Sequence, residues 1–117
     1  MTKWAIIVNR AEEESLYPAF ILGSSAAASG DDVIMFFEPW AAPALKEGVL
    51  EAMDGKGMPV MEELVDGLIA LGGRIMLCEL AFAAMDMTEE ELREDVEVVG
   101  VTTFVVEAQD AQMTFSF

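Results

Sequence analysis

Runs of consecutive apolar residues recur along this chain, and they predict buried β-strands. The first three predicted strands are residues 4–8, residues 33–37 and Arg74–Cys78, the last with its apolar run at residues 75–77. Continuous rather than alternating apolarity is typical of strands that are covered on both faces, as in a parallel sheet. Two shorter segments, Val96–Val99 and residues 113–117, are predicted as the fourth and fifth strands.

Helix signals lie between these runs. A helix is predicted over residues 12–28, because the three carboxylates at its start meet the positive end of the helix dipole. Apolar residues at helical spacing predict a second helix over residues 61–69, which Gly72 and Gly73 end. A further helix is predicted over Val101–Ala108 despite its β-branched residues.

The remaining connections are predicted to be short and mixed. Two prolines force an irregular connection after the second strand, and residues 46–59 are predicted as a short helical piece followed by a flexible loop. Residues 79–85 are predicted as a helical turn. Thr88 to Glu91 matches a capping box, which predicts a short helix through Arg93.

Alternation of strands and helices predicts an α/β fold. We expect a mostly parallel five-stranded sheet with helices on both of its faces. No linker, repeat or low-complexity tract interrupts the 117 residues. The sequence therefore predicts one domain over residues 1–117.

Composition and charge exclude several classes of function. Hydrophobic residues make up 54% of the chain, so disorder is not expected. One Cys and no His exclude an intramolecular disulfide, a four-Cys zinc site and a Ser-His-Asp triad. The net charge of −16 predicts no binding to nucleic acids or anionic membranes. The lone thiol and the lack of a visible targeting segment predict a cytoplasmic protein.

Candidate chemistry lies where the predicted strands end, because ligands of open α/β sheets bind beyond the carboxyl ends of the strands. These positions hold Asn9 and Arg10, then Trp40, and then Cys78 and Glu79. Cys78 is the only strong nucleophile among them. A thiol just ahead of a helix N-terminus forms the reactive thiolate more readily, whereas the neighbouring Glu79 opposes it.

A second interpretation of Cys78 is equally simple. Most lone cysteines are inert, small and buried apolar residues, and spacing alone favours that role.

Three stretches of the chain resemble the DsrE/F-like sulfur-relay family, in the branch often labelled peroxiredoxin-like. They are the first strand with its Ala-rich helix, the aromatic segment 33–40 with its Trp, and residues 73–78 followed by residues 96–101. The third stretch is the most specific, because it fixes a Cys at a strand end and a Val-Glu-Val segment at a set spacing. The resemblance spans essentially the whole chain.

The resemblance implies a three-layer α/β/α domain that assembles into homotrimers or hexamers. It also implies that Cys78 holds sulfane sulfur as a persulfide and passes it between donor and acceptor proteins, as in a sulfurtransferase-like relay. Asn9, Arg10 and Trp40 fall near the implied substrate pocket, and the strand-end rule adds Glu79. No metal or cofactor is required. The alternative is a non-catalytic, oligomeric module that binds a small ligand or a protein and in which Cys78 is structural.

Overall fold

A parallel sheet of five strands forms the centre of the computed structural model, which describes residues 1–117. The strands follow the spatial order β4-β3-β2-β1-β5, and every neighbouring pair is parallel. The predicted α/β class and five-stranded sheet are therefore confirmed. The strand bounds are β1 Lys3–Val8, β2 Asp32–Phe37, β3 Arg74–Cys78, β4 Val96–Val99 and β5 Met113–Ser116.

Four α-helices and two 3-10 helices connect the strands. The two longest helices each have two glutamates in their first turn, where the carboxylates meet the positive end of the helix dipole. The α-helix bounds are α1 Glu13–Ala28, α2 Met61–Ala70, α3 Ala81–Ala84 and α4 Val101–Ala108, and the 3-10 helices are Pro39–Leu45 and Glu89–Glu91. No helix combines the length and the apolar character that crossing a membrane requires.

The order of the strands places the helices on two faces of the sheet. The chain steps from β1 to β2, β3 and β4 in one direction, and right-handed crossovers of this kind leave their connections on one face. The last crossover returns from β4 to β5 beside β1, and it carries α4 across the opposite face. We call these the helix-rich face and the α4 face.

The two faces have separate cores of different size. Twenty-four buried residues form the core of the helix-rich face, which includes Ile75 and Leu77 of β3. Six buried residues form the core of the α4 face, which includes Met76 and Cys78 of the same strand. Alternation of side chains along β3 therefore directs the thiol toward α4.

The connection after β2 differs from its prediction. The 3-10 helix lies at Pro39–Leu45, and residues 47–52 form turns rather than a helical piece. Pro39 occupies the start of the 3-10 helix, where a missing N–H costs no hydrogen bond. The alanines and Leu45 of this 3-10 helix are buried against the helix-rich face. Their burial stabilises helical structure where the two prolines were expected to interrupt it.

The capping box is confirmed, but the helix that it begins is shorter than predicted. The backbone N–H of Thr88 donates to the Glu91 carboxylate at 2.8 Å. The 3-10 helix ends at Glu91 rather than at Arg93, because Leu92 pairs with Lys46 in an isolated antiparallel bridge.

Candidate functional site

At the carboxyl ends of β3 and β4 the chain leaves the sheet in two directions, and we call this place the β3–β4 crevice. After β3 it continues to the helix-rich face, where Ala81 is fully buried in the large core. After β4 it enters α4 on the opposite face, where Phe104 is buried. Neighbouring parallel strands whose connections diverge in this way form the ligand crevice of open α/β sheets. Cys78 and Val99 are paired at this point.

Cys78 is the last residue of β3, as predicted, but its side chain is covered. It is 2% exposed and belongs to the same buried cluster as Phe36, Met76 and Phe104. The ring of Phe104 stacks on that of Phe36 with centroids 4.2 Å apart. In this conformation, α4 therefore closes the α4 face over the residues around the thiol.

The N-terminus of α4 brings partial positive charge to the same crevice. This helix begins directly after Gly100, and its first turn contains no carboxylate, whereas α1 and α2 each begin with two glutamates. Free N–H groups at a helix start favour a negative charge beside them. The start of α4 therefore brings partial positive charge beside the paired ends of β3 and β4.

Glu79 is held against the start of α4. Its backbone N–H donates to the carbonyl of Val99 at 2.9 Å. A Cβ added to Gly100 would lie 3.3 Å from its carboxylate oxygen Oε1, so the glycine leaves room for this approach. The Glu79 side chain is exposed, and its charge opposes a second anion at the crevice.

Asn9, Arg10 and Trp40 lie together at one cavity. With Ala11 and Glu12 they line an open cavity of about 320 Å³ beyond the ends of β1 and β2. Trp40 is 68% exposed, and Arg10 forms no ion pair with any carboxylate.

The five predicted site residues therefore form two groups at one edge of the sheet. Cys78 and Glu79 belong to the β3–β4 crevice, and neither of them lines the Trp40 cavity. The sequence predicted one pocket for all five residues, but in this conformation the Cys78 thiol does not line the Trp40 cavity.

Sequence reasoning missed Phe104, and it placed Gly100 at the end of the fourth strand without anticipating its role. Phe104 helps to close the α4 face around Cys78, and Gly100 accommodates Glu79. The sequence does contain a signal for the burial of Phe104. Phe104 and Ala108 are four residues apart on the predicted helix, so they share one apolar face. The role of Gly100 depends on a contact between two strand ends, which spacing does not reveal.

A charged cluster secures the other end of α4. Arg74 of β3 donates two hydrogen bonds of 2.9 Å to the Glu97 carboxylate, and it reaches Glu107 of α4 at 3.3 Å. The Arg74 hydrogen bonds lower the pKa of the Glu97 carboxyl below its usual range. Lys3 donates to the Glu107 carbonyl and pairs with Asp110 at 2.8 Å. The C-terminal end of α4 is therefore bound to the amino ends of the strands.

This architecture defines a class of protein: a parallel α/β domain with one thiol in the crevice where the strand connections diverge. Residues 38–115 match the model of the DsrE/DsrF/DrsH-like family, which is more than half of the chain. The chain therefore belongs to this family, and the resemblance that the sequence indicated is confirmed.

Known proteins share this architecture at low sequence identity. The chain is 20% identical to the uncharacterised protein YrkE of Bacillus subtilis over an alignment of 147 positions that covers 92% of each protein. The crystal structure of the ychN protein from E. coli matches with a TM-score of 0.81 at 21% identity and covers 100% of both chains. Protein MTH1491 from Methanobacterium thermoautotrophicum matches with a TM-score of 0.72 at 15% identity over 98% of this chain and 97% of its own. At these identities, the two solved structures support the fold alone.

Proposed function

We propose that this protein is a sulfur carrier that holds sulfane sulfur as a persulfide on Cys78. The observation that carries the proposal is the position of the chain's single thiol where the ends of β3 and β4 pair, beside a helix whose own first turn contains no acidic residue. Membership of a family named for sulfur-relay proteins supports it. We place the carrier in the reducing cytoplasm, where a lone thiol persists, and we treat residues 1–117 as one domain.

The transfer balances without a metal, a cofactor or an external oxidant. The Cys78 thiolate attacks the outer sulfur of a donor persulfide, the donor's S–S bond breaks, and the donor leaves as a thiolate. An acceptor thiolate then attacks the outer sulfur of the Cys78 persulfide, and Cys78 is released as a thiolate. Each step exchanges one S–S bond for another, so there is no net oxidation.

Burial of Cys78 requires α4 to move before a donor can reach the thiol. The helix packs on its face mainly through Phe104, while Val101, Val105 and Val106 are exposed. A short helix with so little buried surface opens at lower free energy than the rest of a domain. We propose that local opening at the start of α4 exposes Cys78.

The Trp40 cavity would bind the donor or acceptor before transfer. Its unpaired Arg10 attracts anionic groups, Asn9 supplies hydrogen bonds, and Trp40 supplies an apolar surface. Glu79 would contact the substrate at the crevice itself.

Self-association into trimers or hexamers belongs to the same proposal. The exposed valines of α4 offer a largely uncharged surface on a chain of net charge −16. Repulsion between copies of net charge −16 opposes assembly at low salt, so association should strengthen as salt is added.

The second candidate is a non-catalytic, oligomeric binding module. The 2% exposure of Cys78 favours it, because a structural thiol is expected in a core. In this module, the Trp40 cavity would bind the ligand and sulfur would not be involved.

Thiol labelling distinguishes the two candidates. A carrier should react with a small thiol reagent much faster than its global unfolding rate permits, and the Cys78→Ser variant should remain folded. A structural thiol should react only upon unfolding. The Ser variant should lose about 1–3 kcal/mol with either candidate, because Cys78 is buried in an apolar core, so the labelling rate separates them. Labelling no faster than global unfolding would refute the carrier.

A further inference from the structure

A second cavity lies apart from both groups of predicted site residues. It is found where the loop before α2 meets the first turns of α1, and its volume is about 210 Å³. Four of its lining residues belong to α1 and three belong to the loop. They are Glu13, Glu14, Tyr17 and Pro18, with Gly55, Lys56 and Met58. We call it the Tyr17 cavity.

A buried hydroxyl with an unused donor belongs to the wall of this cavity. Tyr17 is 3% exposed, and its hydroxyl oxygen accepts a hydrogen bond from the backbone N–H of Gly55 at 2.7 Å. Both residues line the cavity, so this bond lies at its wall. No group of the chain accepts the proton of the Tyr17 hydroxyl. Because buried polar groups normally use their hydrogen-bonding capacity, the free donor indicates a place for an acceptor from outside the chain.

Two glycines hold the loop against the Tyr17 ring. A Cβ added to Gly55 would lie 2.6 Å from the ring atom Cε2, so only glycine can approach the ring this closely. Gly57 has a φ of +76°, in the left-handed region that favours glycine. These glycines fix the loop segment that brings Lys56 and Met58 to the cavity.

Both signs of charge line the cavity without pairing with each other. The Lys56 ammonium forms no ion pair, although Glu13 and Glu14 line the same cavity. Pro18 and Met58 add apolar surface. The wall therefore provides an ammonium and a hydroxyl donor for one anionic group, carboxylates for one cationic group, and an apolar surface beside them.

We propose that the Tyr17 cavity binds a free α-amino acid that has an apolar side chain. The carboxylate of the amino acid accepts hydrogen bonds from Lys56 and from the Tyr17 hydroxyl, and its ammonium group pairs with the glutamates of the first turn of α1. Its side chain packs on Pro18 and Met58. The volume is below the roughly 300–1,000 Å³ of pockets for drug-sized ligands, so it suits a molecule this small and excludes a nucleotide. A zwitterion has no net charge, so the charge of −16 does not repel it.

An NMR titration of the intact, isotope-labelled protein with L-leucine tests the proposal. The amide signal of Gly55 should shift and saturate, because its N–H bonds to the Tyr17 hydroxyl at the wall, while that of Gly100 at the start of α4 should not move. Three probes each lack one group of the ligand: leucinamide lacks the carboxylate, N-acetyl-leucine lacks the ammonium group, and glycine lacks the side chain. Each should bind about tenfold more weakly than L-leucine or worse.

The two basic side chains without an ion pair provide one matched pair of variants. Lys56→Met removes the cation of the Tyr17 cavity, and Arg10→Met removes the cation of the Trp40 cavity. Both side chains are exposed, so both variants should remain folded. Lys56→Met should weaken L-leucine binding about tenfold, and Arg10→Met should leave it within about twofold.

First-turn glutamates provide a second matched pair. Glu13→Gln and Glu14→Gln together remove the carboxylates of the cavity, whereas Glu62→Gln and Glu63→Gln together remove the corresponding pair from the first turn of α2. The first double variant should weaken L-leucine binding about tenfold, and the second should leave it within about twofold.

Several results would overturn the amino-acid site. They are no shift of the Gly55 signal at about 10 mM L-leucine, equal binding of leucinamide, and equal binding by Lys56→Met. Loss of binding in Arg10→Met but not in Lys56→Met would also overturn it, because the ligand would then lie in the Trp40 cavity. The Tyr17 cavity contains neither Cys78 nor Trp40, so the proposal is independent of the sulfur carrier, and Cys78→Ser should bind L-leucine normally.

Discussion

The two faces of the sheet differ in how much core they carry. The helix-rich face packs 16 residues of α1 and 10 of α2 over 24 buried residues. The α4 face has one helix of 8 residues over six buried residues, and Cys78 is one of them. The large core can hold the sheet together while the small one opens. The difference explains how a covered thiol can serve a reaction, because access then requires release of one short helix rather than unfolding.

The largest expected effect comes from truncating one aromatic residue on each face. Phe20→Ala removes a fully buried ring from the helix-rich face and should lower the free energy of unfolding by about 3–5 kcal/mol. Phe104→Ala should lower it by less. It should nevertheless raise the rate of Cys78 labelling in the folded protein about tenfold or more, because α4 loses its main contact.

Urea titration and labelling below the unfolding transition measure the two effects. Phe20→Ala serves as the control for general loosening, and its labelling rate should rise only as far as its global stability falls. If Phe104→Ala leaves Cys78 as protected as in the unmodified chain, α4 is not the cover.

A smaller effect is expected at the amino end of the α4 face, from Arg74→Met. This variant removes the bonds to Glu97 and Glu107, and solvent screening limits the loss to about 1 kcal/mol or less because these side chains are more than a third exposed. The lowered pKa of Glu97 sets the pH dependence. Its contribution is complete above the ordinary Glu pKa of about 4.3 and is lost as the pH falls through the lower value in the folded state.

Stability of both chains is therefore compared at neutral pH and in acid. The difference in unfolding free energy between the unmodified chain and Arg74→Met should shrink in acid. A difference that stays constant would mean that the loss comes from packing of the Arg74 stem. Lys46→Met is the control for the location of the ion pair. It removes the ion pair between Lys46 and Glu91, which lies outside α4, and it should not change the rate of Cys78 labelling.

The smallest effect is expected at the carboxyl edge, from Glu79→Gln. Removing this carboxylate should speed the reaction of Cys78 with an anionic thiol reagent roughly threefold, because a like charge at the crevice is lost. A neutral reagent should be accelerated less, because Glu79 does not repel it. Glu90→Gln removes an equally exposed charge in the second 3-10 helix and should alter neither rate. Equal acceleration of both reagents would show that Glu79 does not act by repelling the anionic reagent.

Local patterns were sufficient for most elements of the fold. The first three strands were predictable because a strand buried on both faces must be apolar throughout, and the first helix was predictable from its glutamates. The segment after β2 was not, because Pro39 and Pro43 signal a break while the alanines around them are buried by tertiary packing. The end of the helix after Thr88 was set by a bridge between Leu92 and Lys46, which are distant in sequence.

The site was predictable in part for the same reason. The position of Cys78 at a strand end follows from the apolar run before it. Its burial follows from α4, which lies more than 20 residues later and reaches the thiol only because the last crossover returns over the opposite face. The separation of Cys78 from the Trp40 cavity likewise depends on the order of the strands, which no local pattern encodes.

Intact-mass measurement after incubation with polysulfide tests the central claim most directly. The unmodified chain should gain one sulfur atom that a reductant removes, and Cys78→Ser should gain none while its circular dichroism remains that of the folded protein. Phe104→Ala should load faster than the unmodified chain. The carrier would be contradicted if neither the folded, unmodified chain nor the folded Phe104→Ala variant, whose thiol is open to labelling, gained sulfur. The binding module would then remain.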